Sequence, residues 1–147
     1  HGFVATCEEL GMACTTASKN LQNWTFPLER PNSLAAVDNL LGEILKPGQK
    51  PTALFVPADS IAVLVYRALA ERGLSIPDDI SIVSANRAEG LIAGLFPSLT
   101  TIDVKSGEIG IEAVALLERC FQTHDNSSGQ DLQIEPKLIA EQSVKTL

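Results

Sequence analysis

An α/β fold, with a parallel sheet flanked by helices, follows from the alternation of short apolar runs with amphipathic stretches and from the turn residues at their junctions. Taken in order, Phe3, Val4, Cys7, Leu10 and Met12 fall near helical spacing with Gly11 as a stop, which predicts a first helix of about ten residues. Residues 12–17, Met12 to Ala17, read as strand-like. From Lys19 to Asn32 the chain is polar and aperiodic, a loop with one conspicuous aromatic, Trp24. Ser33 stands at an N-cap position before Leu34, Val37, Leu40, Leu41, Ile44 and Leu45, and Pro47-Gly48 ends that second helix. Thr52 to Val56 has the Leu, Phe and Val content of a buried strand, and after Pro57-Ala58-Asp59-Ser60 a third helix runs from Ile61 to Arg72 with Gly73 as its stop. Pro77-Asp78-Asp79 marks a turn, Ile80 to Ser84 another strand, and the polar Asn86-Arg87-Ala88-Glu89 follows at that strand's end. A parallel crossover needs a connection of helix length, so the order β, α, β, α, β places helices against a parallel sheet.

Composition narrows the functional classes. The chain has 147 residues, 45% of them hydrophobic, enough for one core and one domain's worth of structure. Its longest apolar stretches, Ile61 to Tyr66 and Ile80 to Val83, fall far short of the roughly 20 residues of a bilayer span, and no charged-then-apolar leader opens it, so a soluble, cytoplasmic protein with no membrane partner is expected. His1 is no initiator and a helical pattern starts at once, as in a fragment of a longer chain. Eighteen acidic residues outnumber 11 basic ones, for a net charge of −7. Without a basic stripe, this piece is not expected to grip nucleic acid itself. Cys7, Cys14 and Cys120 have neither an even count nor a Cys-x-x-Cys spacing, and two distant histidines cannot complete a metal site. Buried, reduced thiols are the expectation, with no metal and no cofactor.

Enzymatic constellations are thin. No Gly-x-Gly-x-x-Gly, phosphate loop or Gly-x-Ser-x-Gly elbow is present, and His1 and His124 sit at a terminus and in a polar loop, leaving any nucleophile without a base. The pairs Glu8-Glu9 and Asp78-Asp79 read as solvated charge on a helix and in a turn. What remains is the rim at the carboxy ends of the strands, where open parallel sheets bind ligands. There Asp59 suits an N-cap or an acceptor for a ligand hydroxyl. Asn86 beside Arg87 suits a polyol or anionic ligand as well as a solvated turn.

The segments Pro51 to Val56, Asp59, Arg67-Ala68-Leu69, Arg72-Gly73-Leu74, Pro77 to Val83, Pro97-Ser98-Leu99-Thr100-Thr101-Ile102, the Gly110-centred stretch Glu108 to Phe121 and the closing Leu138 to Ser143 carry a resemblance. In order and spacing they resemble the effector core of lactose-repressor/galactose-repressor (LacI/GalR) regulators over nearly the whole chain. Such proteins have a helix-turn-helix headpiece, a hinge and two α/β subdomains of periplasmic-binding-protein-like type that clamp a small effector, commonly a sugar. The resemblance implies that residues 1–98 form most of the carboxy-terminal subdomain, that 99–123 cross into the amino-terminal subdomain, and that 132–147 return. The crossing helix, apolar at Ile109, Ile111, Val114, Leu116, Leu117 and Phe121, then wants a partner.

Position by position, the resemblance implies a ligand-facing Asp59, but it gives Ala58 where an Asn is usual. Ser84-Ala85-Asn86-Arg87 replaces the usual Gly, aromatic, Asp-Asp, so Asn86 falls on a ligand-facing carboxylate, and Arg87 beside it points to an acidic or phosphorylated effector. Trp24 lies near a loop where relatives stack an aromatic on a sugar, with plain packing as the alternative. Leu91, Ile92, Leu95 and Phe96 would lie near a homodimer interface. The expected partners are a sugar or sugar-phosphate effector, a second copy, and operator DNA reached only through a headpiece this chain lacks. A periplasmic sugar-binding protein is the rival of the same architecture, and an α/β sugar-processing enzyme a more distant one.

Overall fold

The computed structural model describes residues 2–17, 34–46, 48, 51–123 and 132–146, and two compact units divide the chain at Pro51/Thr52. In the first unit, α1 (Gly2–Glu9) stops as its sequence predicts. Gly11 takes φ +66°, its N–H bonds the Glu8 carbonyl at 3.0 Å, and Met12 N–H bonds the Cys7 carbonyl at 2.8 Å. These paired bonds satisfy carbonyls that the helix end would otherwise leave open, in a left-handed turn that glycine enters without steric cost. Residues 12–17 belong to no strand ladder, contrary to the strand-like reading; alternation alone makes no strand without a neighbour to supply ladder bonds. Helix α2 (Leu34–Ile44) buries Val37 and Leu41, four apart on its apolar face. Ser33, Pro47, Trp24 and the rest of residues 18–33 lie outside the described residues.

The second unit holds the sheet, in the order β1 (Ala53–Phe55), β2 (Ser81–Ala85), β3 (Thr100–Asp103), β4 (Lys137–Ile139). The first three strands are parallel and β4 is antiparallel to β3, so the expected parallel sheet carries one antiparallel edge. Helix α3 (Asp59–Glu71) supplies the β1–β2 crossover and buries Asp59, Ala62, Val65, Tyr66, Ala68 and Leu69, the three-and-four spacing of a helix face laid on a core. Gly73, at φ +70°, ends it with the closure already seen at Gly11: its N–H bonds the Ala70 carbonyl and Leu74 N–H bonds that of Leu69, both at 3.0 Å. The core beneath comprises Val56, Ile80, Ile82 and Leu99. In the expected turn, Asp79 accepts the Ser75 N–H at 2.8 Å, so one of the two acids read as solvated charge braces the turn.

The segment after β4 is bonded to the sheet around one buried hydroxyl, that of Ser143. Ser143 Oγ donates to the Ile82 carbonyl at 2.6 Å and accepts from Thr100 N–H at 2.8 Å, while Ile82 N–H bonds the Ser143 carbonyl at 2.8 Å. Glu141 N–H reaches Thr100 Oγ1 and Lys145 N–H reaches Ser81 Oγ, so the tail is stitched to both β2 and β3. Tyr66 hydroxyl donates to the Pro97 carbonyl at 3.1 Å, and its side chain also meets that of Ser143. Burial pushes the Tyr66 phenol above its ordinary value of 10.0, against a smaller lowering by Ser143. Below pH 10.0 both states keep the proton. Above it the unfolded chain ionises first, so stability falls as pH rises toward the folded value. Urea titrations on the alkaline side are expected to show a shallower fall for Tyr66→Phe than for the parent.

Two further helices complete the unit, the short α4 (Glu89–Ile92) after β2 and the 18-residue α5 (Ser106–Thr123) after β3. Helix α5 makes no extensive contact with another described element, and most of its apolar side chains face outward: Ile111 is 70% and Phe121 78% exposed. Among the described residues no helix is long and apolar enough to cross a membrane.

Candidate effector-site rim

The start of α3 after β1, the turn after β2 and strand β3 itself are tied together by one carboxylate. Ala58, in extended backbone, is the N-cap of α3 and makes no side-chain cap bond; Asp59 is the first helical residue. Its Oδ1 accepts from Thr101 Oγ1 at 2.9 Å and its Oδ2 from Ala88 N–H at 2.7 Å, and the residue is 1% exposed. This corrects the N-cap reading: Asp59 spends its oxygens on β3 and on the turn after β2, while its charge sits favourably in the first turn of α3. It frames the rim without reaching past it.

The turn after β2 holds backbone seldom adopted by residues with a Cβ. Asn86 has φ 103° and Arg87 φ 51°, and such conformations cost of order 1–3 kcal/mol each unless their surroundings impose them. The surroundings do so at both ends, because Asn86 N–H bonds the Ile102 carbonyl at 2.9 Å and Asp59 holds Ala88 N–H. Asn86 is left exposed at the apex.

Arg87 is half-buried and already engaged. Its Nε lies 3.2 Å from Glu89 Oε1 and its Nη1 3.4 Å from Asp103 Oδ2, two carboxylates against one guanidinium. Asp103 also accepts Lys105 N–H at 2.8 Å, closing the left-handed turn at Lys105 (φ 54°) that leads into α5, and Lys105 Nζ pairs with Glu108 Oε2 at 3.5 Å. The cations at this rim are therefore each matched by an acid. Ser84 Oγ, wholly buried just upstream, has no partner among the described residues.

Thus the structure brings Asp59, Asn86 and Arg87 onto one rim, while Trp24 lies outside the described residues. Sequence reading missed Thr101, Glu89 and Asp103. Thr101 had no distinctive signal, standing in the run Thr100-Thr101-Ile102-Asp103 where hydroxyl and acid side chains are common, and its partner lies 42 positions away. Leu91 and Phe96 are exposed, Phe96 at 90%, with Ile92 and Leu95 half-buried. Two concavities flank α5, one of about 400 Å³ between Lys105, Glu108, Ile111, Glu112 and residues 132–135, and none of the candidate residues lines either. Among the described residues no group of three or more His, Cys, Asp or Glu side chains could hold a metal ion. Cys7 is buried as expected of a thiol, Cys14 only partly, and Cys120 is exposed, which corrects that expectation for the last.

The chain is an open, mostly parallel α/β sheet whose carboxy-end turns converge on a polar rim, the place where sheets of this class carry their ligand sites. Comparison with known proteins makes this specific. Residues 1–144 match the periplasmic binding protein-like domain. The HTH-type transcriptional repressor PurR of Aliivibrio salmonicida is 31% identical over 148 residues, covering 100% of this chain and 41% of that protein. The ribose operon repressor of Haemophilus influenzae is 36% identical over 105 residues, covering 71% and 31%. Among solved structures, a LacI transcriptional regulator from Bacillus cereus subsp. cytotoxis is 31% identical with a TM-score of 0.69, over 78% of this chain and 40% of that one. A LacI family regulator from Enterococcus faecium, with bound ribose, shares the fold at a TM-score of 0.77 and 21% identity, over 99% and 50%. The chain belongs to the periplasmic binding protein-like domain family, in the form that makes the effector core of LacI-family regulators. It spans well under half the length of these curated relatives.

Proposed function

We propose that this chain is the carboxy-terminal part of the effector-sensing core of a cytoplasmic bacterial transcription regulator, a repressor that answers to a neutral sugar. The carrying observation is the rim on which Asp59 fixes the strained turn presenting Asn86. Asn86 offers a donor and an acceptor to hydroxyls, as polyol recognition requires. Arg87, matched by Glu89 and Asp103, has little charge left for an anion, which favours a neutral sugar over a sugar phosphate. That the relatives are transcriptional repressors, and that solved neighbours carry ribose or cellobiose, supports this reading over a periplasmic transport protein or an enzyme.

In this reading residues 1–98 make most of the carboxy-terminal subdomain, 99–123 cross to the amino-terminal one and 132–147 return. The outward apolar face of α5 supports the crossing, and exposed Leu91 and Phe96, with Ile92 and Leu95, support a symmetric dimer. Effector binding would shift the populations of two subdomain placements and so alter how a separate headpiece meets operator DNA. Calorimetry on the complete regulator with pentoses, hexoses, disaccharides and their phosphates tests this. A neutral sugar is expected to bind, with Asn86→Ala weakening it about tenfold for one lost polar contact. Tight binding confined to phosphorylated sugars would overturn the neutral-sugar assignment, and indifference to every sugar would overturn the sensing role.

A further inference from the structure

Two left-handed turns meet at one carboxylate. Asp103, the last residue of β3, sets its Oδ2 3.4 Å from Arg87 Nη1 in the turn after β2, and its Oδ1 accepts Lys105 N–H at 2.8 Å in the turn before α5. Arg87 also starts from fixed backbone, at φ 51° between an Asn86 N–H bonded to the Ile102 carbonyl and an Ala88 N–H bonded to Asp59. With both partners anchored by main-chain bonds, the pair escapes much of the ordering cost that makes most ion pairs near a surface weak. Glu89 is nearer to the guanidinium, at 3.2 Å from Nε, but its side chain is 74% exposed against 27% for Asp103. Water and salt screen Glu89 far more, so Asp103 is the acid that sets the potential around Arg87, one position from exposed Asn86.

We propose, resting on the neutral-sugar reading above, that Asp103 is a specificity-determining residue of this rim: it occupies the Arg87 guanidinium and so excludes phosphorylated forms of the effector. A phosphate oxygen needs the same guanidinium donors and would have to enter beside the charge of Asp103. The hydroxyls of an unesterified sugar meet no such repulsion. Taking away the charge while keeping the shape therefore turns Arg87 into an anion-binding group, because its planar fork matches phosphate. Asparagine does this at position 103. Its carbonyl can still accept Lys105 N–H, while its amide offers Arg87 only further donors and leaves the guanidinium without an acceptor there. Serine, whose hydroxyl can close the same turn more weakly, is the second variant.

The test is calorimetric titration of the complete regulator with inorganic phosphate, in a buffer free of other phosphate, beside a panel of neutral sugars. Asp103→Asn and Asp103→Ser are expected to bind phosphate about tenfold more tightly than the parent, the worth of one freed charge-assisted contact. Glu89→Gln should stay within about twofold of the parent, as a screened surface pair allows. Adding Arg87→Gln to Asp103→Asn should remove the gain. A loss of packing would weaken binding, so a gain that depends on Arg87 separates selectivity from a merely structural role. Inorganic phosphate needs no sugar contact, so the two readings fail separately: a parent indifferent to every sugar, with the phosphate gain intact, overturns the sensing role and still bears out the hold of Asp103 on Arg87. No gain in either Asp103 variant, an equal gain in Glu89→Gln, or a gain that survives Arg87→Gln overturns the proposal.

Discussion

Replacing Asp59 with alanine is expected to destabilise the chain by about 3 kcal/mol, because it strands two donors at once, the Thr101 hydroxyl and the Ala88 amide, each costing of order 1–3 kcal/mol when desolvated and unpaired. The loss of a negative charge from the first turn of α3 adds a few tenths. Asparagine should be far milder, about 1 kcal/mol, since its carbonyl can still accept from Ala88 N–H while Thr101 Oγ1 turns to accept from the side-chain amide. Urea unfolding of the parent and both variants measures the difference. Equal losses in the two would mean that burial of charge, not the pairing of donors, decides the cost. Because Ala88 follows directly on Asn86-Arg87, the alanine variant should also release the strained turn, read as faster amide exchange at Ala88.

Ser143→Ala is expected to cost about 2 kcal/mol. One hydroxyl serves the Thr100 amide and the Ile82 carbonyl in a site with no exposed surface, and alanine fills nearly the same volume, so the loss is of hydrogen bonding and not of packing. The measurement is again urea unfolding, joined to amide exchange at Thr100, which should accelerate more than at Val83. A uniform acceleration along β2 and β3 would instead mean that the tail as a whole had detached.

Both sites show where a sequence can be read and where it cannot. Strands β1 and β2 were visible because burial forces Leu, Phe, Ile and Val into consecutive places, and α3 because Ala62, Val65 and Leu69 repeat at helical spacing. The role of Asp59 was not visible. An acid at the start of a helix suits the N-cap or the first turn equally, and its partners Thr101 and Ala88, 42 and 29 positions away, decide the matter. Strand β4 escaped notice because three residues, Lys137–Ile139, pattern nothing, and an antiparallel edge exists only once β3 offers one. The left-handed turn at Asn86-Arg87 carries no glycine to announce it. The exposed apolar side chains of α5 match what the resemblance, and not the helix's own pattern, implied: an apolar helix in want of a partner.

The stitch at Ser143 also governs when the domain can finish folding during synthesis. Ile82 directs both its N–H and its carbonyl at a residue 61 positions downstream, so β2 must leave the ribosome with that part of its ladder open to water. Strands β1 and β2 can pair as soon as α3 has formed between them, since their register needs nothing beyond Ala85. The seam between β2 and β3 can pair over Val83–Ala85 once β3 has emerged, but its end at Ile82 and the Thr100 amide stays open until residue 143 arrives. A nascent chain halted anywhere from 104 to 142 therefore carries a sheet with an unfinished seam, a surface on which chaperones or neighbouring chains can act before the tail arrives.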